Sequence, residues 1–317
     1  MFPIELLVAV VIGYAAAVLF FFARIRGTWP RSIAFVLLGV VVLGGAPMTA
    51  HGLMVIRCGL AMVPVILILH MWDLHVDPGR VSRLTLRKYA VLLPDYGWSV
   101  TRVAEGYGVG LSLRQRARDA VYYGAGLCLV SVLVTGTFRV EWYRYPFWLE
   151  HAVKSVCLGA WIIWAFNANT ALWRLAGAPA ALFTVKNVLG AYSPAEFWRR
   201  WNVPMYRWCL ENVYKPAGGC RRPHVAGLAA FAVSGLLHEY LYAVIFGRVT
   251  GYMLAFFLLQ GVAVSLTRGG KHKGPLVVPG SILTFAFNTC STVLLFLPIN
   301  ERMPFYVNDV PKWLHLW

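Results

Sequence analysis

The groups in this chain best suited to chemistry lie between residues 193 and 240. The segment reads SPAEFWRRWNVPMYRWCLENVYKP, then a short Gly/Arg/Pro turn, then GLAAFAVSGLLHEY. His238 and Glu239 sit inside an apolar run, and an ionisable residue placed there is a functional candidate by default. If the run 225–246 is a membrane span, His238 lies ~20 Å into it at ~1.5 Å per residue, near the bilayer midplane. Desolvation favours the neutral imidazole, the form that accepts a proton from a hydroxyl. The same position also suits a histidine held by an interhelical hydrogen bond. Ser234 and Tyr242 are its i−4 and i+4 neighbours, with Gly235 at i−3, which predicts one polar face with room beside the ring. Glu239 points ~100° away around the same helix. It is expected to pair with a basic residue of a neighbouring helix, as structural support that sets the helix rotation.

Asn202 has a different logic. Pro204 disfavours a helical residue before it, so a helix starting near Pro194 should break or bend around Asn202. A carboxamide at such a break can offer both a donor and an acceptor to a cavity. Trp198 and Tyr206, at i−4 and i+4, would wall that cavity if the helix continued. Arg199, Arg200, Arg207, Lys215, Arg221 and Arg222 crowd one end of the segment. They suit either the phosphates of a nucleotide-like donor or the ordinary accumulation of positive charge on one side of a membrane. The spacing thus suggests that Asn202 and His238 face one another across a buried reaction chamber.

The elements that must position these residues are hydrophobic. Of 317 residues, 59% are hydrophobic and 13% charged, and the mean hydropathy is +0.63. Apolar runs of about 20 residues recur, each long enough for ~30 Å of hydrocarbon. They lack strand alternation, which predicts an all-α polytopic membrane protein. We place eight spans at 3–23, 33–47, 53–71, 120–138, 150–172, 225–246, 250–266 and 280–298, in a single domain covering 1–317. The span count between 150 and 192 stays open, because ALFTVKNVL at 181–189 could re-enter the membrane. The first apolar run has no basic stretch before it and no small-residue cleavage site after it, so it reads as a retained span. VSRLTLRKYAVLLP and YGWSVTRVAEGYGVGLSL, within 72–119, mix charge with aliphatic and aromatic residues. They are expected to be amphipathic interfacial helices, with a plain loop as the alternative. Residues 139–148 read as an aromatic return, and the chain after the last span as an exposed tail.

The formal net charge is +16, but its placement argues against nucleic acid. All but seven of the 29 Lys and Arg fall in the alternate loops 24–32, 72–119, 173–224 and 267–279. The exceptions are Arg57, Arg139, Arg144, Lys154, Arg248, Arg302 and Lys312. Such asymmetry is what membrane topology selects, and it makes those loops cytoplasmic. The six cysteines are scattered, without CxxC pairs or metal-ligand spacing, so they indicate neither disulfides nor a metal site.

FWRRWNVPMYRWCLENVYKP, followed about twenty residues later by SGLLHEYL, resembles the membrane-bound O-acyltransferase superfamily. The likeness is to the branch of plant-type wax synthases, diacylglycerol acyltransferases and sterol acyltransferases. That branch carries an FW…WN motif with a VYKP-like ending, and a histidine followed by Glu in an apolar helix. The likeness is carried by residues 193–245. No FYxDWWN-like segment precedes residue 193, where diacylglycerol and sterol acyltransferases would have one. The alginate and teichoic-acid branch usually has WH where this chain has Trp201–Asn202.

The resemblance implies transfer of an acyl group from acyl-CoA to a hydroxyl inside the membrane, with His238 as catalytic base and Asn202 as the second signature residue. Trp198, Arg199, Arg200, Trp201, Tyr206, Lys215, Ser234 and Tyr242 form the expected substrate- and CoA-binding set. Acyl-CoA is a co-substrate, and no metal or further cofactor is implied. The compact length and the SPAEFWRRWN entry look more like the wax synthases, a resemblance that implies a long-chain fatty alcohol as acceptor and a wax ester as product. The alternatives are a sterol, terpenoid or diacylglycerol acceptor, a short acyl donor, or a non-catalytic lipid-binding or transport protein. The Ala/Arg/Gly-rich composition and short loops favour a bacterial inner membrane over the endoplasmic reticulum.

Overall fold

The computed structural model describes residues 4–23, 27–49, 54–76, 85–93, 111–176, 185, 187–269 and 277–314. Among the described residues the regular structure is helical, with no strand, as segments that satisfy their own backbone in lipid must be. The helices form two compact units. The first draws on residues 1–109 and 236–250, the second on 110–235 and 251–317.

Among the described residues, six helices are long and apolar enough to cross a membrane: Thr28–Gly45, Arg57–Val76, Leu113–Thr137, Phe147–Leu175, Pro223–Phe246 and Val277–Asn300. The two other expected spans correspond to the shorter apolar helices Leu7–Ala23 and Tyr252–Thr267. The protein is therefore an all-α, multi-pass integral membrane protein.

In the first unit, α1 (Ile4–Ala23), α2 (Thr28–Thr49) and α3 (Met54–Val76) pack together with the short α4 (Leu86–Leu92). Phe20, Leu67, Met71, Leu74, Tyr89 and Leu93 form their core. The Tyr89 ring stacks on Phe21 at 5.3 Å, and the Tyr14 hydroxyl donates to the Ala90 carbonyl. The first expected interfacial helix is thus helical over 86–92, with Tyr89 turned inward and Arg87 exposed. The second, 96–113, lies outside the described residues except for its last three. Most of 181–189 also lies outside them.

In the second unit, α5 (Leu113–Thr137) and α6 (Phe147–Leu175) form an antiparallel hairpin. An alanine at Gly126 would put its Cβ 2.1 Å from the Trp164 ring, so only glycine lets that indole cross α5. Helix α5 starts seven residues before the expected span. Its start is set by a capping box, in which Ser112 Oγ accepts from Gln115 N and Gln115 Oε1 from Ser112 N. Reciprocal caps of this kind satisfy otherwise orphaned donors. The first turns of α5 are correspondingly charged, and Asp119 there pairs with Arg174 near the end of α6 at 3.8 Å.

Residues 301–314, after the last span, are largely exposed as expected but are anchored at three buried side chains. Phe305, Tyr306 and Leu314 are buried against Phe147, Val293 and Phe296. A polar cluster on the first turns of α6, fully enclosed, holds this segment. Lys154 Nζ donates to Glu150 Oε1 at 2.6 Å and to the Phe305 carbonyl. Glu150 in turn accepts from Val307 N and Asn308 N at 2.7 and 3.0 Å. His151 Nε2 lies 2.8 Å from the Thr289 carbonyl, so it donates there and Nδ1 accepts from Tyr306 Oη at 2.7 Å. Burial raises the Tyr306 phenol above its usual range, which keeps it the donor in that bond.

Glu150→Gln would strand the Lys154 charge, and losing one partner of a buried pair costs about 3–5 kcal/mol. We expect thermal unfolding of the purified variant to show that loss and limited proteolysis to cut within 300–314. Adding Lys154→Met should restore much of the stability.

Candidate active site

The segment carrying the signature residues is a broken helix. Ser193 caps α7 (Pro194–Arg200), its Oγ accepting from Glu196 N at 3.2 Å, with Pro194 in the first turn. Glu196 Oε2 reaches back to Tyr192 N at 3.1 Å. Thr267 Oγ1 accepts from Ala195 N at 3.3 Å. Three donors at the helix start thereby gain partners.

The chain then breaks around Asn202 as expected, although Val203, the residue before Pro204, is itself helical. Trp201 is extended, and Asn202 adopts the left-handed conformation with φ 39° and ψ 60°. Helix α8 (Val203–Cys209) starts immediately after, with Asn202 Oδ1 accepting from Met205 N at 3.3 Å. Asparagine is among the few L residues that enter this conformation readily. The signature asparagine therefore has a structural task of its own, as turn former and helix cap.

Because the helix does not continue through Asn202, Trp198 and Tyr206 do not share a helical face with it. Trp198 packs on Phe231 and Phe257 at ring distances of 5.3 and 5.6 Å. Its Nε1 donates to Gln260 Oε1 at 2.9 Å. Gln260 is fully buried on α10 (Tyr252–Thr267), and its Nε2 donates to Ser291 Oγ at 2.8 Å. Tyr206 is 37% exposed. Trp201 stacks on Phe197 at 5.6 Å. Sequence reasoning missed Gln260 and Ser291, although a glutamine within YMLAFFLLQGVAV was a visible signal.

The basic residues divide into two kinds. Arg200 is held by Glu196 and by the Asn187 carbonyl. Arg199 and Lys215 are more than half exposed, beside Glu196 and Glu211 respectively. Lys215 follows a π turn at Leu210–Tyr214, where its N–H donates to the Leu210 carbonyl. Such turns occur mostly as single bulges, frequently at functional sites.

Helix α9 (Pro223–Phe246) carries Ser234 and His238 in one unbroken run. Ser234 Oγ lies 3.6 Å from Cys209 Sγ, which ties the end of α8 to α9. Burial pushes the Cys209 thiol up to about 11, so it stays protonated at neutral pH and is a poor nucleophile. The room expected beside Gly235 is taken by α10. A Cβ there would lie 3.1 Å from Leu254 Cα and 3.2 Å from Phe257, and small residues of this kind let membrane helices approach closely.

Residues 236–246 of α9 belong to the first unit. There His238 is half-buried, and Tyr242 packs edge-on against Phe246. Glu239 Oε1 accepts from Thr250 N at 2.5 Å and from Thr250 Oγ1 at 3.1 Å. This buried carboxylate thus fixes the turn that ends the helix. Arg57, a charge inside α3, donates to the Ile245 carbonyl at 3.2 Å, and Tyr240 Oη donates to the Leu43 carbonyl. Both bonds hold α9 within that unit. Asn202 and Ser234 thus lie in the second unit, and His238 and Tyr242 in the first.

Residues 127–297, more than half the chain, match the model of the membrane-bound O-acyltransferase family. The chain belongs to that family. The matched region of this membrane-bound O-acyltransferase contains the broken motif, His238, Gln260 and Ser291. Over 84 residues it is 33% identical to sterol O-acyltransferase 2 of Mus musculus, covering 26% of this chain and 16% of that protein. Over 96 residues it is 31% identical to diacylglycerol O-acyltransferase 1-1 of Oryza sativa subsp. japonica, covering 29% and 17%. Over 141 residues it is 38% identical to probable long-chain-alcohol O-fatty-acyltransferase 2 of Arabidopsis thaliana, covering 38% of each. The chain therefore spans well under half the length of these relatives.

The geometry at position 202 separates backbone from carboxamide. Asn202→Gly retains the left-handed turn and loses only a few tenths of a kcal/mol of capping, while Asn202→Ala loses about 1–2 kcal/mol through cap and conformation. Thermal unfolding in detergent should rank the proteins wild type, Gly, Ala.

Proposed function

We propose that this chain is an acyl-CoA-dependent O-acyltransferase that esterifies a lipophilic alcohol within the membrane. A long-chain fatty alcohol is the leading acceptor, and a wax ester the product. The observation that carries the reading is the family match over 127–297, which takes in both Asn202 and His238. The 38% identity to a protein described as a probable long-chain-alcohol O-fatty-acyltransferase favours the fatty alcohol. The matches to a sterol O-acyltransferase and a diacylglycerol O-acyltransferase make those acceptors the second reading.

In this mechanism the neutral imidazole of His238 takes the proton of the alcohol as its oxygen attacks the thioester carbonyl. The tetrahedral oxyanion is stabilised by Asn202 or a nearby backbone N–H. Collapse expels CoA thiolate, which takes the proton from the imidazolium and leaves as the thiol. No acyl-enzyme forms, in keeping with a buried, protonated Cys209. Arg199 and Lys215, both largely exposed, suit the phosphates of CoA, while Arg200 and Trp198 orient the motif. Ser234, Trp201, Tyr206 and Tyr242 are the remaining members of the substrate-binding set. The working membrane is a bacterial inner membrane.

The decisive measurement is release of CoA thiol from palmitoyl-CoA or acetyl-CoA by the protein in nanodiscs, with hexadecanol, diacylglycerol or a sterol as acceptor. Alcohol-dependent release is expected, highest with hexadecanol. His238→Ala should lower it by about 10²–10⁴-fold, the usual contribution of a general base. Near-normal turnover in that variant would remove His238 from the chemistry. Absence of release with every pair would favour a lipid-binding protein.

A further inference from the structure

Asn288 lies at the middle of the stretch 277–300, on α11 (Val277–Ser291) of the second unit. Its Oδ1 and Nδ2 are both buried, and neither has a hydrogen-bond partner. Ser281, Thr284, Asn288 and Ser291 recur at three- and four-residue spacing and so share one face of the helix. Ile282 and Leu283, on other faces, are 63% and 70% exposed, as lipid-facing residues are. On the polar face, Ser281 Oγ donates to the Val277 carbonyl and Ser291 Oγ to the Asn288 carbonyl. Ser291 also receives Gln260. The carboxamide of Asn288 stands out against these satisfied neighbours. An unsatisfied polar group costs several kcal/mol in hydrocarbon, and an apolar side chain of similar size would remove that cost. Stability alone therefore gives no reason for asparagine here.

We propose that Asn288 binds the hydroxyl of the acceptor alcohol. The choice of group follows from which atoms are unpaired. A donor nitrogen and an acceptor oxygen both need partners, and a hydroxyl accepts from Nδ2 while donating to Oδ1. A thioester carbonyl only accepts, and would leave Oδ1 unmatched. Asn288 is a binding residue and is not itself the base. The assignment rests on the acyltransferase reading for the name of the ligand, but its test does not require turnover.

The experiment is displacement of tritiated 1-hexadecanol from protein in nanodiscs by unlabelled 1-hexadecanol and by hexadecyl methyl ether, which cannot donate. Wild type should prefer the alcohol by about tenfold, the equivalent of ~1.4 kcal/mol. Asn288→Leu should lose that preference while its unfolding temperature stays level or rises, because the orphaned groups are gone. Asn288→Ala serves as a smaller second variant with the same expected loss. An undiminished preference in both variants, or no preference in wild type (as when water alone occupies the site), would overturn the proposal. Alcohol-dependent CoA release, measured in parallel, reports separately on the acyltransferase reading. A preference that depends on Asn288 without any CoA release would reject that reading and keep the site.

Discussion

Hydrocarbon supplies no hydrogen bonds, and the rest of this structure follows from that constraint. Every polar group carried into the membrane has to find its partner inside the protein. Arg57 answers by capping the Ile245 carbonyl of α9. Glu239 answers through Thr250 in the turn that follows its helix. Glu150, His151 and Lys154 answer together by gathering the backbone of 305–308 and the Tyr306 hydroxyl. Each of these charges or rings looks anomalous in a hydropathy reading, and each is explained by a particular carbonyl, amide or hydroxyl.

The same constraint shapes the signature motif. Wherever a helix breaks, the freed backbone groups need partners. Here Ser193, Glu196, Thr267 and the Asn202 side chain meet the amides at the starts of α7 and α8. Trp198, Gln260 and Ser291 then link the motif to α10 and α11 by a line of hydrogen bonds through an otherwise apolar interior. Partly satisfied networks are the costly ones, which is why an open carboxamide beside this line, that of Asn288, carries meaning.

The close approach of the helices is a second theme. Gly126 lies beneath Trp164, and Gly235 against the backbone of α10 at Leu254. Lipid tails are as apolar as leucine, so membrane helices gain little from apolar contact alone and depend on packing at short range. Gly235 thus serves the seam between α9 and α10, although its place one turn before His238 first suggested room beside the imidazole.

Much was legible from the sequence because membrane insertion is a one-dimensional problem. Run length and apolar content located the spans, Pro204 located the break at Asn202, and the paired motifs located the family. Boundaries were less legible where local caps override hydropathy, as at Ser112, where α5 begins among arginines. What needed tertiary structure was the identity of partners. No spacing rule connects Trp198 with Gln260, Glu150 with Asn308, or His151 with Tyr306, because those pairs are far apart in the chain and meet only when helices pack. The anchoring of 305–308 has the same origin, since its backbone amides become useful only once Glu150 is fixed on α6. The sequence by itself determined which polar groups enter the membrane. Only the fold decided which of them are satisfied.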